Sequence, residues 1–318
     1  WEHSWKRRQQ AGEETIKKTF FSRQKEGILV SFAIQLFTIP LVAYFYYEIP
    51  VYAMLINLFV LAVVNGLLGL TVLGVIVGMA FLPAGRVLFA PCGWMLDSYR
   101  FLCEVSLKIP GAQRITGKPA HMRIFWYYLG LGVFLLAIYA CARRNEKHKD
   151  CRKTADLCVS RRKKRLQGIV FSCFIAFLLL FLLFPQKKSF EIDFLDVGQG
   201  DGIYLCTGGG TSMFIDGGST DVKQVGKYRI LPFLKAKGVS EISYWFVSHT
   251  DTDHVSGLKE VLVSGYRVEY LVFAKAVEKE AKTKELAELA RSHGTKVLYM
   301  QAGDTVRSKR AAMRCLYP

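Results

Sequence analysis

A short polar stretch holds the side chains best suited to chemistry. The six residues from His249 to His254 contain two imidazoles and two carboxylates, at His249, Asp251, Asp253 and His254. In an extended or tightly turning backbone, side chains two residues apart share one side, so the first three can converge while His254 turns in from the next position. This combination indicates a hydrolytic metal centre. The alternative is a polar turn that caps the following helix, with Asp253 or Thr252 as the N-cap.

Two further motifs precede this stretch. Phe194 to Asp201 reads FLDVGQGD, and Phe214 to Gly218 reads FIDGG. The later stretch resembles the His-x-His-x-Asp-His signature of the metallo-β-lactamase superfamily, with Asp251 at the place of the second His. With that departure and in this order, the three motifs resemble one branch of the superfamily, the ComEC-type DNA-internalisation competence proteins.

The resemblance implies metal-assisted hydrolysis of a phosphoryl or carbonyl group, with one or two divalent ions as cofactor. It assigns His249 and Asp251 to one metal ion, and Asp253 with His254 to the other. It also gives Asp253 a catalytic role, which is to orient the attacking water. We expect zinc or manganese, and the carboxylate of Asp251 favours manganese or magnesium relative to zinc.

Three upstream carboxylates also match the family pattern, at Asp196, Asp201 and Asp216. The resemblance places them around the ligands as supporting or structural residues, and stabilisation of turns is the alternative for each. The family completes its metal site with residues further along than Pro318. We therefore expect this chain to hold part of the site and to be inactive alone.

Charge and hydropathy divide the chain near residue 186. Residues 1–186 contain long apolar runs and carry +14 of the formal net charge of +17, whereas residues 187–318 carry +3. This near-neutrality argues against a broad nucleic-acid-binding surface in the second part, although it permits a local groove. We predict a multi-pass α-helical membrane domain over residues 1–186. An α/β metallo-β-lactamase-like (αββα) domain, truncated to its N-terminal portion, is expected over residues 187–318.

The membrane part contains three apolar runs long enough to cross a bilayer. These predicted spans are Gly27–Tyr47, Ile124–Ala142 and Gly168–Pro185. The run Pro50–Leu82 is too long for one straight crossing, so we expect two short crossings with a bend near Asn65 to Gly69. Charged residues at helical spacing in Val87–Ile109 predict an amphipathic helix in the interface or against the bundle.

Polar and helix-breaking residues interrupt the apolar runs at Gln35, Pro40 and Asn57. Polar groups in hydrocarbon are costly unless neighbouring helices satisfy them or they line a wet path. These three residues are therefore candidates for a pathway through the membrane. The alternative is a kink that serves helix packing.

Two basic segments predict the topology. Trp1 to Glu26 carries seven Lys or Arg, and Arg143 to Arg165 carries eleven against three acids. Either segment is able to bind nucleic acid or anionic lipid, but basic residues beside membrane spans favour the cytoplasmic side. We expect a cytoplasmic-membrane protein whose soluble domain lies on the external face.

The sequence of the soluble part predicts alternating strands and helices, and the loops at the strand ends are expected to hold the site. The predicted strands are Phe190–Val197, Ile203–Thr207, Thr211–Asp216, Glu241–Ser248, Val268–Phe273 and Lys296–Met300. The predicted helices are Tyr228–Lys237, His254–Val263 and Glu278–His293.

For function, the resemblance implies uptake of single-stranded DNA across the cytoplasmic membrane during natural transformation, with the external domain degrading the strand left outside. The implied partners are single-stranded DNA, membrane lipid and other proteins of the competence machinery. A second function class is a membrane-tethered hydrolase of a small phosphodiester or acyl substrate. A third is a metal-free channel component whose soluble domain only docks DNA. The polar interruptions in the membrane part favour transport.

Overall fold

The computed structural model describes residues 27–109, 111–147, 157–184, 189–307 and 312–317. The predicted basic segment 1–26, the centre of the predicted basic loop at 148–156 and the predicted domain boundary at residue 186 lie outside these residues. The chain divides into two compact units, one with Glu48–Arg114 and the residues before 43, the other with Ala43–Tyr47 and Ile115–Pro318.

A helical hairpin forms most of the first unit. Helix α1 is described over Gly27–Tyr46, and it is followed by strand β1 (Glu48–Pro50), helix α2 (Ala53–Ala80), helix α3 (Leu82–Lys108) and strand β2 (Gln113–Ile115). Helices α2 and α3 run antiparallel and in close contact, because a Cβ placed on Gly85 would lie only 2.6 Å from the Cα of Gly78. Such small residues let helix backbones approach each other.

Helix α2 corrects one prediction. We expected two short crossings with a bend near Asn65 to Gly69, but α2 is one continuous helix of 28 residues. It contains no proline, and an internal glycine costs only about 1 kcal/mol relative to alanine, so Gly66 and Gly69 do not end it. At 1.5 Å per residue α2 is about 42 Å long, and its second part, Val63–Ala80, has the hydropathy of a span.

Three described helices are long and apolar enough to cross a membrane, by length and composition. They are Gly27–Tyr46, Val63–Ala80 and His121–Cys141. Helix α5 (Leu157–Leu183) contains a shorter apolar stretch, Gly168–Leu183. The predicted span at this place therefore stays a prediction. Helix α3 packs along α2 and is not among the three, as expected for an amphipathic helix against its neighbours.

In the second unit, α4 (His121–Lys147) and α5 form an antiparallel pair. The ring of Phe134 lies 5.2 Å from that of Phe171 and 5.7 Å from that of Phe174. At one end of the pair, Arg123 Nη1 donates a hydrogen bond to the Phe184 carbonyl at 2.6 Å. The start of α4 and the end of α5 therefore lie side by side.

A six-stranded mixed sheet follows α5, in the order β3-β4-β5-β6-β7-β8. Its strands are β3 (Glu191–Phe194), β4 (Gly202–Cys206), β5 (Ser212–Asp216), β6 (Glu241–Val247), β7 (Arg267–Ala274) and β8 (Lys296–Met300). Strand β4 is antiparallel to both β3 and β5, whereas β5, β6, β7 and β8 are parallel to one another. The domain also contains three helices, α6 (Leu231–Ala236), α7 (Thr252–Val263) and α8 (Ala281–Ser292). It further contains a π-helical turn (Gly226–Ile230), a 3-10 turn (Lys275–Val277) and the antiparallel strand pair β9 (Thr305–Arg307) and β10 (Ala312–Arg314).

The three helices of this domain pack on one face of the sheet. Leu234, Leu258 and Leu286 from α6, α7 and α8 join Phe214 and Trp245 from the sheet in one buried core. Because successive strand residues point to opposite faces, another apolar set lines the second face. That set includes Tyr244, Phe246 and Tyr270, which stack on one another, and Phe194, whose exposed fraction is 78%. The predicted strands and helices are confirmed as a mixed α/β sheet domain.

A junction joins this domain to the membrane-side helices within the second unit. The Lys118 N–H donates to the Ala236 carbonyl at 2.8 Å, and a Cβ on Gly117 would lie 3.1 Å from the Cα of Gly238. At the start of α4, the Tyr44 hydroxyl lies 2.9 Å from His121 Nε2. The last turn of α1, the start of α4 and the end of α6 are therefore close together.

Candidate metal centre

The chemically competent side chains meet at one edge of the sheet. Asp216 ends β5, and His249 comes two residues after the end of β6. Because β5 and β6 are parallel neighbours, their carboxyl ends lie at the same edge, where ligands bind in open α/β sheets. Asp201 comes just before β4, which is antiparallel to β5 and pairs Gly202 with Asp216. Asp201, at the start of an antiparallel strand, therefore lies at this same edge.

His254 belongs to two clusters of possible metal ligands. The first cluster contains His249, Asp253 and His254, the second contains Asp201, Asp216 and His254, and the ligand atoms of each lie within 4.8 Å of one another. His254 Nδ1 lies 3.1 Å from Asp216 Oδ2, and His254 Nε2 lies 3.4 Å from Asp253 Oδ2. Each imidazole nitrogen therefore faces a carboxylate, and Nδ1 also lies 3.8 Å from Asp201 Oδ2.

Asp216 is the buried anchor of the site, with an exposed fraction of 5%. The Ser248 N–H donates to Asp216 Oδ1 and the Ser248 hydroxyl to Asp216 Oδ2, both at 2.8 Å. Asp216 has a φ of 58°, a left-handed conformation that is rare outside glycine and often found at functional sites. The Trp245 indole N–H holds this backbone by donating to the Asp216 carbonyl at 2.6 Å.

Glycines in the upstream motifs allow the loops to touch the start of α7. A Cβ on Gly200 would lie 2.3 Å from the Gly218 carbonyl oxygen, and one on Gly218 would lie 2.4 Å from the Asp253 carbonyl carbon. The Asp201 N–H also donates to the Asp253 carbonyl at 3.4 Å. The three motifs therefore meet backbone to backbone, which places Asp201 and Asp216 beside the histidines.

His249 lies at the solvent side of the site. Its side chain is 48% exposed, and its ring centroid lies 3.7 Å from that of His254. Ser248 Oγ lies 3.0 Å from His249 Nδ1 and 3.4 Å from His254 Nδ1. One hydroxyl thus contacts both imidazoles as well as Asp216.

Asp251 stands outside both clusters. Its carboxylate accepts a hydrogen bond from Lys282 Nζ at 3.0 Å, while its other oxygen lies 3.9 Å from His249 Nε2. The Lys282 ammonium holds the pKa of Asp251 below its usual value through this hydrogen bond and its charge. Asp251 is also the N-cap of α7 by backbone position, in place of Asp253 or Thr252, and it makes no side-chain cap hydrogen bond. The assignment of Asp251 as a ligand stays a prediction, and it requires this carboxylate to leave Lys282.

Asp196 serves the turn that follows β3. Its Oδ1 accepts the Gly198 N–H at 3.3 Å and lies 3.0 Å from Arg229 Nη1. The same guanidinium donates to the Asp196 carbonyl. These contacts agree with the turn-stabilising alternative, and Asp196 is in neither cluster of possible ligands.

The membrane candidates lie on α1 and α2. Gln35 and Asn57 are half-buried, and Pro40 is buried within the continuous helix α1. Ser31, one turn before Gln35, is 1% exposed, and its hydroxyl has no hydrogen-bond partner among the described residues. Their role in a pathway stays a prediction.

Two residues that position the site were missed in the sequence. Ser248 joins Asp216 to both histidines, and Trp245 fixes the strained backbone of Asp216. Ser248 was detectable as a hydroxyl directly before His249. The pairing of Trp245 with Asp216 depends on the register of β5 and β6, which local sequence does not show.

The donor set fits a divalent metal ion. It combines imidazole nitrogens with carboxylate oxygens, the ligands that zinc and manganese accept in hydrolytic sites. His254 and Asp216 are buried and hydrogen-bonded to Ser248, which orients them before any ion binds. Supporting hydrogen bonds of this kind are usual around metal ligands.

Sequence similarity to known proteins extends beyond these motifs. Residues 1–140 match the family model described as Competence protein. The chain is 23% identical to ComE operon protein 3 of Bacillus subtilis (strain 168), an alignment that covers 95% of this chain and 39% of that protein. It is 31% identical to Recombination protein 2 of Haemophilus influenzae over 33% of this chain and 13% of that protein.

The chain therefore spans well under half the length of the curated relatives it matches. Even so, the match with the first relative includes both the helical part and the sheet domain, since it covers nearly the whole chain. The family resemblance expected from the motifs is confirmed: residues 1–140 carry a competence-protein domain of the ComEC family, in a chain homologous to ComE operon protein 3 along 95% of its length.

Proposed function

We propose that the protein takes up single-stranded DNA across the cytoplasmic membrane during natural transformation, and that its sheet domain is a metal-dependent hydrolase acting on DNA at the external face. The competence domain and the two relatives support the transport part. The hydrolase part is carried by one observation, the membership of His254 in two clusters of possible metal ligands at the carboxyl edge of the sheet.

The chain's own side chains prepare this centre for hydrolysis. A divalent ion would be held by His249, Asp253 and His254 or by Asp201, Asp216 and His254, because a neutral imidazole has one ring nitrogen free to bind metal. A bound divalent ion would lower the pKa of its water and polarise the scissile bond. Asp253, half-buried beside His254 Nε2, is placed to accept a proton from that water and to orient it.

The half-buried apolar face of the sheet supports a metallo-β-lactamase-like fold. Helices α6, α7 and α8 cover one face, whereas the opposite face presents Tyr244, Phe246 and Tyr270. A helix-covered sheet with a second apolar face is what one half of an αββα sandwich requires, because two such sheets bury their inner faces against each other.

The contacts of the second unit support the external placement of the sheet domain. The end of α1 and the end of α5 both lie near the start of α4. In the same region the Ala236 carbonyl of α6 accepts a hydrogen bond from the Lys118 N–H. If α4 crosses the membrane, this region and the basic loop at its other end lie on opposite sides. The positive-inside rule assigns the basic loop to the cytoplasm.

Polar groups on α1 support a path for a polar substrate. Ser31, Gln35 and Thr38 recur at i, i+4 and i+7 and so lie on one side of the helix. The Thr38 hydroxyl bonds to the Ile34 carbonyl, whereas the Ser31 hydroxyl is buried without a partner among the described residues. A polar stripe of this kind in a membrane helix marks a functional candidate.

The transport proposal is tested by replacing Gln35 and Asn57 with Leu in the complete protein. Uptake of labelled DNA, membrane abundance and DNA hydrolysis are measured separately. We expect lost uptake with normal abundance and normal hydrolysis, because both residues are far in sequence from the metal motif. Normal uptake in both variants would contradict the pathway and leave a membrane-tethered hydrolase as the better account.

A further inference from the structure

A cleft of about 230 Å³ lies beside the candidate metal centre. It runs between α7 and α8, and its polar lining consists of Thr250, Thr252, Ser256, Lys259, Lys282 and Glu285. Both helices start at the carboxyl edge of the parallel strands, which is also the edge that holds Asp216 and His249. This α7–α8 cleft therefore continues the edge of the sheet away from the histidines.

Two lysines in the cleft each lie against a carboxylate. Lys282 Nζ lies 3.0 Å from Asp251 Oδ1, and Lys259 Nζ lies 3.7 Å from Glu285 Oε1. All four side chains are solvent-exposed, between 44% and 75%. Exposed ion pairs of this kind contribute about 0–1 kcal/mol, so an incoming anion is able to displace the carboxylates.

The surrounding sequence is locally basic although the domain is nearly neutral. Residues 274–284, which connect β7 to α8 and begin that helix, carry four lysines and two glutamates. An ammonium offers three donors and a point charge, which suits phosphate oxygens. Hydroxyl groups of Thr250 and Thr252 at the same rim offer further donors.

We propose that the α7–α8 cleft binds phosphate groups of a single nucleic-acid strand, next to the phosphate that reaches the metal centre. The proposal rests on the proposed function, because it takes the substrate to be a DNA strand. A small phosphodiester has one phosphate and needs only the metal centre. A strand has neighbouring phosphates, and Lys282, which bridges the cleft and Asp251, lies where the strand would pass from one to the other.

Glu285 gives the proposal a distinctive signature. Its carboxylate lies against Lys259 and so competes with phosphate for that ammonium. Removing a carboxylate from the cleft should therefore strengthen binding, whereas removing either lysine should weaken it. Helix α8 offers matched controls in Lys284 and Glu288, which are exposed and lie outside the cleft lining.

The test measures binding of a fluorescent oligothymidylate to the complete protein in lipid nanodiscs, in chelator so that no hydrolysis occurs, at several KCl concentrations. Thermal unfolding of each variant checks that it is folded. We expect Lys259→Gln and Lys282→Gln to weaken binding several-fold and to reduce the slope of log affinity against log salt by about 0.7 each. Glu285→Gln should tighten binding, and Lys284→Gln and Glu288→Gln should match the unmodified protein.

The proposal is overturned if the unmodified protein does not bind the strand, or if folded Lys259→Gln and Lys282→Gln proteins bind it as the unmodified protein does. Hydrolysis of the same oligonucleotide with Mn²⁺ added is scored separately. If the unmodified protein hydrolyses DNA and the lysine variants bind the strand normally, the cleft proposal is wrong and the hydrolase proposal stands. If the expected binding pattern is found without any hydrolysis, the hydrolase proposal is wrong and the cleft remains a strand-binding site.

Discussion

At the scale of single residues, the site depends on a few polar side chains that hold each other in place. His254 is the shared member of both clusters, and Asp216 is the buried carboxylate beside it. Neither contacts water freely, so their geometry is set by the protein. Ser248 is the residue that connects them, because its hydroxyl reaches Asp216 and lies close to both imidazoles.

Ser248→Ala should weaken metal binding without unfolding the domain. The backbone N–H of residue 248 still bonds to Asp216, but the hydroxyl that orients the carboxylate and the imidazoles is gone. Loss of such a supporting group typically lowers metal affinity about tenfold to a hundredfold. Calorimetric titration of the complete protein with Mn²⁺ and Zn²⁺ measures the change.

Ser292→Ala is the matched control, since Ser292 Oγ lies 3.1 Å from His293 Nδ1 at the exposed end of α8. This serine has the same kind of histidine contact but is far from the edge that holds the site. Its replacement should leave metal affinity unchanged. Equal affinities for Ser248→Ala and the unmodified protein would remove Ser248 from the account.

At the scale of elements, the α2–α3 hairpin depends on glycines at its contact. The Cβ of an alanine at residue 85 would lie 2.6 Å from the Gly78 backbone, a distance that side chains do not adopt. Gly85→Ala should therefore push the helices apart and cost roughly 1–3 kcal/mol, as overpacking usually does.

Gly93 provides the control on the same helix, because a Cβ there meets no atom within 4 Å. Gly93→Ala should leave stability unchanged or raise it, since alanine is the better helix former. The fraction of complete protein that stays monodisperse in detergent after heating reports the difference. Equal heat resistance of the two variants would show that the close approach does not stabilise the hairpin.

The elements also show what sequence is able to predict. Alternating and continuous apolar patterns located the six strands of the sheet and its helices, because burial and backbone period act locally. The continuous helix α2 was missed because Gly66 and Gly69 resembled a bend, whereas packing along α3 overrides that weak preference. The side-chain partners of the site, such as Asp251 with Lys282, depend on contacts between distant elements, and periodicity does not report them.

At the scale of the whole molecule, the proposed topology places the sheet domain and the basic loop on opposite sides of the membrane. Cys206 is only 2% exposed, so it is a poor reporter in the folded protein. Tyr228→Cys places a thiol at a position whose side chain is 63% exposed. Cys158, at the start of α5 within the predicted basic segment, reports on the other side.

In cells whose protein carries only one of these two cysteines, a membrane-impermeant maleimide should label residue 228 and leave Cys158 unlabelled. After permeabilisation both should react, which controls for access. Labelling of Cys158 alone in intact cells would invert the proposed topology.

The most direct test of the account concerns His254, because both candidate ligand clusters include it. Metal content per chain and hydrolysis of single-stranded DNA are measured for the complete protein, for His254→Ala, and for His293→Ala as a control at the exposed C-cap of α8. We predict bound divalent metal and hydrolysis in the unmodified protein and in His293→Ala, and loss of both in His254→Ala, because that change removes a ligand from each cluster. Metal content and DNA hydrolysis in His254→Ala equal to those of the unmodified protein would contradict the proposed metal centre.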